Sequence, residues 1–146
     1  MRIMAALGIG LLLASVVACS SGKPVAIRQG DLCEETHQPI QDVRIAAEIV
    51  PTGGSPALKF CTVSDMAKYL EDHDSTSATM FVTDYPTGRL IPVETAVFVK
   101  APAGDASKAL QYHAFENVNA AVAFGEKNGE ATTDWPSIRA QAGPGK

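Results

Sequence analysis

The chain has 146 residues, with 12 basic and 16 acidic side chains and a formal net charge of −4 at neutral pH. A mildly acidic chain with no basic patch is not expected to bind nucleic acid. Part of its 46% hydrophobic content belongs to an amino-terminal segment, and the remaining stretch of roughly 127 residues suffices for one compact domain or two very small modules.

The amino-terminal segment starts with Arg2, runs through apolar residues 3–17 and closes on Val16-Val17-Ala18-Cys19. It is too short to span a bilayer comfortably. Small residues directly before a cysteine have the order of a bacterial lipobox. Residues 1–18 are therefore predicted to be a cleaved signal peptide, with Cys19 acylated as the first residue of the mature chain. An ordinary signal peptide ending in cysteine is the plainer alternative. Ser20 follows Cys19 with no aspartate, so the expected location is the periplasmic face of the outer membrane. Two or three acyl chains anchor a protein stably where one does not. Residues 19–30 are polar, contain Gly and Pro, and read as a tether.

"GDLCEETHQPI", residues 30–40, places His37 four positions after Cys33. Residue types alone leave three readings open: part of a metal site, a catalytic pair, or two unrelated loop residues. "DVRIAAEIV" follows, and Val43, Ile45, Ala47 and Ile49 alternate as in a half-buried strand. "PTGGSP" is a turn-rich connector and "ALKFC" a second short strand. In "TVSDMAKYLEDHD" the period changes, with Val63, Met66, Ala67 and Leu70 on one helical face and Thr62 or Ser64 as the N-cap. "SATMFVTDY" is a third strand, "PTG" a turn, and "RLIPV" leaves it.

The same order then recurs. "TAVFVKA" is a strand, "PAGDAS" a connector and "ALQYHAF" a strand. "ENVNAAVAFGEKNG" is a helix that Asn117 caps and Gly129 stops. "ATTDWPSI" supplies a last extended piece, and residues 139–146 form a disordered tail. The predicted fold class is thus α+β. It comprises two β-β-α-β modules, residues 31–92 and 93–138, packed together because each is too small to bury much surface alone. "ALKFC" echoes "ALQYH", which would make Cys61 and His113 equivalent. Core candidates are Phe60, Met66, Leu70, Phe81, Val97, Phe98, Phe115 and Val122.

With an early cysteine motif, "KFCTVSDMAKYL", "TMFVTDYPTGRLIPVETAVFV" and "HAFENVNAAVAF", the chain resembles the NosL lipoproteins from about Asp31 to about Gly125. The block from Phe60 to Val99 carries most of the likeness. The resemblance implies a two-module fold, Cu(I) binding, and an accessory role in supplying copper to nitrous oxide reductase. The chain keeps Cys33 but has Thr36, His37 and Gln38 where the family has Cys, Gly and Met. Near a second family methionine it has Lys108, Ala109 and Leu110.

Soft Cu(I) prefers thiolate, thioether and imidazole. The candidate metal ligands are therefore Cys33 and His37 from one loop, with Cys61 or His113 completing the set; histidine would also admit Zn(II) or Cu(II). With Cys19 taken by lipid, Cys33 and Cys61 could instead pair as a disulfide in an oxidising compartment. Cys61 stands beside a helix start, whose dipole would lower its pKa. Met66 and Met80 read as core, His73 as surface, and Asp84 and Tyr85 as residues holding the "PTG" bend. No oxyanion-hole motif, paired carboxylates or phosphate loop accompanies Cys33 and His37, so an enzyme is not expected. The expected function is a metal-binding chaperone with an exposed, under-coordinated site near the tether, delivering Cu(I) to nitrous oxide reductase or another copper acceptor. The rival is a metal-free scaffold lipoprotein that holds a periplasmic protein partner.

Overall fold

The computed structural model describes residues 22–104 and 107–143. The predicted signal peptide and Cys19 lie outside the described residues. The first half contributes β1 (Ala47–Pro51), β2 (Leu58–Phe60), α1 (Val63–Asp72), β3 (Ala78–Thr83) and β4 (Leu90–Pro92). The second contributes β5 (Val97–Gly104), β6 (Ser107–Phe115), α2 (Val118–Asn128), β7 (Thr132–Thr133) and α3 (Trp135–Ala142). Two antiparallel sheets result, ordered β2-β1-β3-β4 and β6-β5-β7. The fold is α+β with a β-β-α-β order in each half, as the sequence pattern implies.

Side chains alternate across the second sheet and join its two faces to different neighbours. Phe98, Tyr112 and Ala114 pack in one cluster with Ala47, Ile49 and Phe60 of the first sheet, with Met66 and Leu70 of α1, and with Trp135 and Ile138 of α3. Val99, Ala101 and Phe115 face the other way, against Ala121 and Phe124 of α2. Helix α1 thus meets both sheets, α3 packs on α1, and α2 covers the far face of the second sheet.

Local chemistry fixes the helix ends. The Thr62 hydroxyl accepts the Asp65 N–H at 3.1 Å, and the Asn117 side chain accepts from Asn119 and Ala120 at 2.9 and 3.1 Å. Gly129 stops α2 in the left-handed region, at φ 71°. Gly125 lets α2 sit close to the returning chain: a Cβ there would lie 2.5 Å from the Glu130 carbonyl oxygen. Because α2 packs through Ala121, Phe124 and Gly125, Val122 points outward at 42% exposure and is not a core residue.

The halves are stitched together at the bend after β3. Asp84 forms an isolated parallel bridge with Ala114 of β6. Its carboxylate is buried, accepting the Glu116 N–H at 2.8 Å and the Thr87 hydroxyl at 2.5 Å. Tyr85 N–H donates to the Ala114 carbonyl at 2.8 Å.

Several sequence expectations are corrected. Residues 43–49 are not one strand: Val43–Ile45 is a 3-10 turn, because the Asp42 carboxylate accepts the Arg44 N–H at 2.9 Å and tightens the chain. Val93–Thr95 makes the matching turn before β5. The stretch from Trp135 to Ala142 is neither extended nor a disordered tail but a helix capped by Asp134, which accepts the Ser137 N–H at 2.9 Å. Arg139 of α3 donates to the Ala67 and Leu70 carbonyls at 3.2 and 3.3 Å, closing the end of α1.

The supposed equivalence of Cys61 and His113 also fails. Phe60 pairs with Ala47 and Phe115 with Val97, the first residues of β1 and β5. Phe60 therefore matches Phe115, and Cys61 matches Glu116, each directly before its helix cap.

Residues 22–30 are no free tether. They strap the outer face of the first sheet, where Val25 N–H donates to the buried Glu48 carboxylate at 2.7 Å. Lys59 Nζ donates to the Ala26 carbonyl at 2.9 Å. Gly22 packs on Val50, where a Cβ would lie 2.8 Å from the valine methyl. Among the described residues no helix is long and apolar enough to cross a membrane.

Candidate metal centre

Loop 31–40 folds back on itself. Gly30 N–H donates to the Ile40 carbonyl at 2.9 Å, Ile40 N–H to Asp31 at 2.7 Å, and Cys33 N–H to Gln38 at 2.9 Å. At its tip His37 N–H donates to the Cys33 carbonyl at 2.9 Å, closing a one-turn curl. That curl puts His37 at φ 56°, a left-handed conformation that favours glycine. The loop is pinned to the β2–α1 corner on both sides of Cys33. Asp31 pairs with Lys59 at 2.6 Å and Glu35 with Lys68 at 2.7 Å, and Glu34 N–H donates to the Lys59 carbonyl at 2.7 Å. Lys59 holds the Asp31 carboxyl below its usual range.

Cys61 occupies the corner between β2 and the α1 cap. Its N–H donates to Cys33 Sγ at 3.2 Å, and its own sulfur lies 3.8 Å from the Gln38 carbonyl oxygen. Both cysteines are free thiols. One helical turn on, Asp65 brings a carboxylate to the same place: the donor atoms of Cys33, Cys61 and Asp65 all lie within 4.8 Å of one another. The Thr62 hydroxyl donates to Asp65 Oδ2 at 2.8 Å, orienting the group.

Exposure departs from the sequence expectation. Cys33, read as the exposed loop ligand, is 0% exposed, and Cys61 is the half-exposed sulfur. Cys33 is buried because the curl turns it inward onto Phe60 and α1. The Cys61 thiol is not acidified by its place beside the helix. Burial pushes it up to about 11, helped by the neighbouring Cys33 sulfur and the Asp65 charge. Burial, with a second sulfur and a carboxylate nearby, outweighs the fractional charge of a helix end.

Neither histidine joins this group. His37 is exposed at the loop tip, with its backbone and not its ring closing the curl. His113 lies on the α2 face of the second sheet, edge-on to Tyr85 at 4.6 Å and against Phe124 at 5.0 Å. It is fully buried, and burial lowers its pKa. Its Nδ1 lies 3.1 Å from the Gln111 carbonyl and so carries the proton, while Nε2 finds no partner among the described residues. Met66 is core as expected, and His73 is a surface residue whose ring stacks on Tyr69. Asp65 is the member of this group that sequence reasoning missed. Its signal was present in "CTVSD", where a Thr-x-x-Asp capping pattern directly after a cysteine returns the acid to that cysteine's side.

The arrangement defines a class: a two-module α+β domain with a pair of thiols and one carboxylate gathered at a surface corner. No protein-family model matches the chain, and no curated protein does. Among solved structures it is similar to the crystal structure of the copper chaperone NosL from Shewanella denitrificans, with a TM-score of 0.64. The two share 17% identity over 79% of this chain and 94% of that one. At that identity the likeness is one of fold.

Proposed function

We propose that this chain is a copper-binding chaperone of the NosL kind. It captures Cu(I) between Cys33 and Cys61 and releases it to an acceptor protein by ligand exchange. The sequence resemblance points to nitrous oxide reductase as that acceptor, and the lipobox to acyl chains on Cys19 that hold the domain at the periplasmic face of the outer membrane. The observation that carries the reading is the convergence of the two sulfurs, in a fold similar to that of a copper chaperone.

Two thiolates suit a soft monovalent ion that accepts two- or three-coordinate geometry. Half-exposed Cys61 meets the ion first, and buried Cys33 completes the pair from behind. The Cys61 N–H aimed at Cys33 Sγ supports negative charge on the inner sulfur. Both thiols must lose their protons to bind, so capture strengthens with rising pH. An ion on two sulfurs keeps a place for a donor from the acceptor, and exchange through that place needs no catalytic base.

Competitive Cu(I) titration of the reduced, mature protein tests this. One ion per chain is expected, with binding lost in Cys33→Ser and in Cys61→Ser. Binding that survives both substitutions, or no binding by the native protein, refutes the proposal; the second outcome leaves the scaffold reading.

A further inference from the structure

Asp65 has no part in holding Cu(I) as described above, yet its carboxylate is within 4.8 Å of both sulfurs. We infer that Asp65 is the ligand that gives this thiol pair a second cargo class, the thiophilic divalent ion represented by zinc(II). The inference rests on the proposed thiol pair but not on copper being carried there.

Charge separates the two ions. Cu(I) on two thiolates already carries one net negative charge, and adding a carboxylate would make two. Zinc(II) on two thiolates is neutral, so a third anionic donor costs little repulsion and completes a set of ligand types that zinc accepts. Geometry allows it. Tetrahedral zinc with bonds of about 2.3 Å to sulfur and 2.0–2.2 Å to oxygen places its donors roughly 3.6–3.8 Å apart. The present limit of 4.8 Å therefore asks for about 1 Å of closure at most. A copper ion held linearly by the sulfurs alone would leave Asp65 where it is.

The local structure prepares the carboxylate for this role. Asp65 is held at the third position of α1 by its own N–H to the Thr62 hydroxyl, and that hydroxyl donates back to Oδ2. A carboxylate has a further oxygen available for a metal. Asp65 is half-buried, so the bound ion would keep a solvent-facing position for water or for an acceptor's ligand.

The test is paired titration of the reduced, full mature chain with zinc(II) and with Cu(I), each against a competing chelator, in the native protein, Asp65→Asn and Asp65→Glu. Cobalt(II) absorption reports the number of thiolates around the divalent ion. Asp65→Asn is expected to weaken zinc by about tenfold or more while Cu(I) affinity changes by much less. Asp65→Glu, a favoured residue at this cap position, should restore zinc binding in part. Circular dichroism melting confirms that each variant folds. An unchanged zinc affinity in Asp65→Asn, an equal loss of both ions, or a native protein that ignores zinc overturns the inference. A native protein that binds zinc through Asp65 but not Cu(I) upholds it and refutes the copper proposal alone.

Discussion

His37→Gly separates a backbone role from a ligand role at the tip of the thiol loop. His37 stands at φ 56°, where the Cβ of an L-residue crowds the following carbonyl at a cost of roughly 1–2 kcal/mol. Glycine removes that cost but widens the unfolded ensemble, returning about 0.4–1 kcal/mol. The balance is a gain of about 0.5–1 kcal/mol in folding stability. For a domain of this size that corresponds to a rise in Tm of about 2–4 °C. The assay is urea and thermal unfolding of the reduced protein, with His37→Ala as the control that keeps the Cβ and should show no gain. Since the imidazole lies outside the sulfur–carboxylate group, Cu(I) affinity should stay as it is in the native protein. A loss of stability in His37→Gly refutes the backbone argument. A loss of Cu(I) affinity of about tenfold or more would make the ring a ligand after all.

Three further outcomes are expected. Burial raises the Glu48 carboxyl above its ordinary 4.5, so its contribution to stability is full below that value and is lost as pH rises through the folded one. Glu48→Gln keeps an acceptor for Val25 N–H. It should be more stable than the native protein at about pH 8 and should flatten the decline from about pH 5; a Gln variant less stable at the higher pH would contradict this. His113 has the opposite sign. Burial lowers its pKa below 6.5, so its contribution is full above 6.5 and is lost as pH falls towards the folded value. His113→Leu should remove that acid-side slope in urea midpoints without altering metal affinity, and loss of metal binding would restore His113 as a ligand. Asp84→Ala strips the acceptors from Glu116 N–H and the Thr87 hydroxyl and should cost about 2–4 kcal/mol in chemical denaturation. Asp84→Asn should cost less, and equal losses from the two would argue against the hydrogen bonds as the cause.

What the sequence disclosed follows from which forces are local. The start of α1 and both ends of α2 were legible because Thr62, Asn117 and Gly129 act on their own neighbours. The helical face of Val63, Met66, Ala67 and Leu70 was legible from its spacing. The 3-10 turn at Val43–Ile45 was not, because alternating Val and Ile carry a strand's pattern whatever the backbone does. Helix α3 was hidden by its shortness, although Asp134 with Pro136 in the first turn is a helix start. Its stability comes from Trp135 and Ile138 in a core made by distant residues. At the candidate metal centre the two cysteines were legible as candidates. Their order of exposure was not, since it depends on how loop 31–40 closes over the β2–α1 corner. The echo of "ALKFC" in "ALQYH" misled because strand lengths differ: β2 has three residues and β6 nine, so the same letters sit at different distances from the helix cap.

The strap over the first sheet has a mechanical consequence. A pull from the amino-terminal side meets Gly22 on Val50 first, then Val25 on Glu48, then the ammonium of Lys59 gripping Ala26. The load is shed onto the sheet in stages before it reaches Asp31 and the curl that seats Cys33. Under the anchoring proposed above for Cys19, the domain would thereby keep the spacing of its sulfurs, with the strain absorbed upstream.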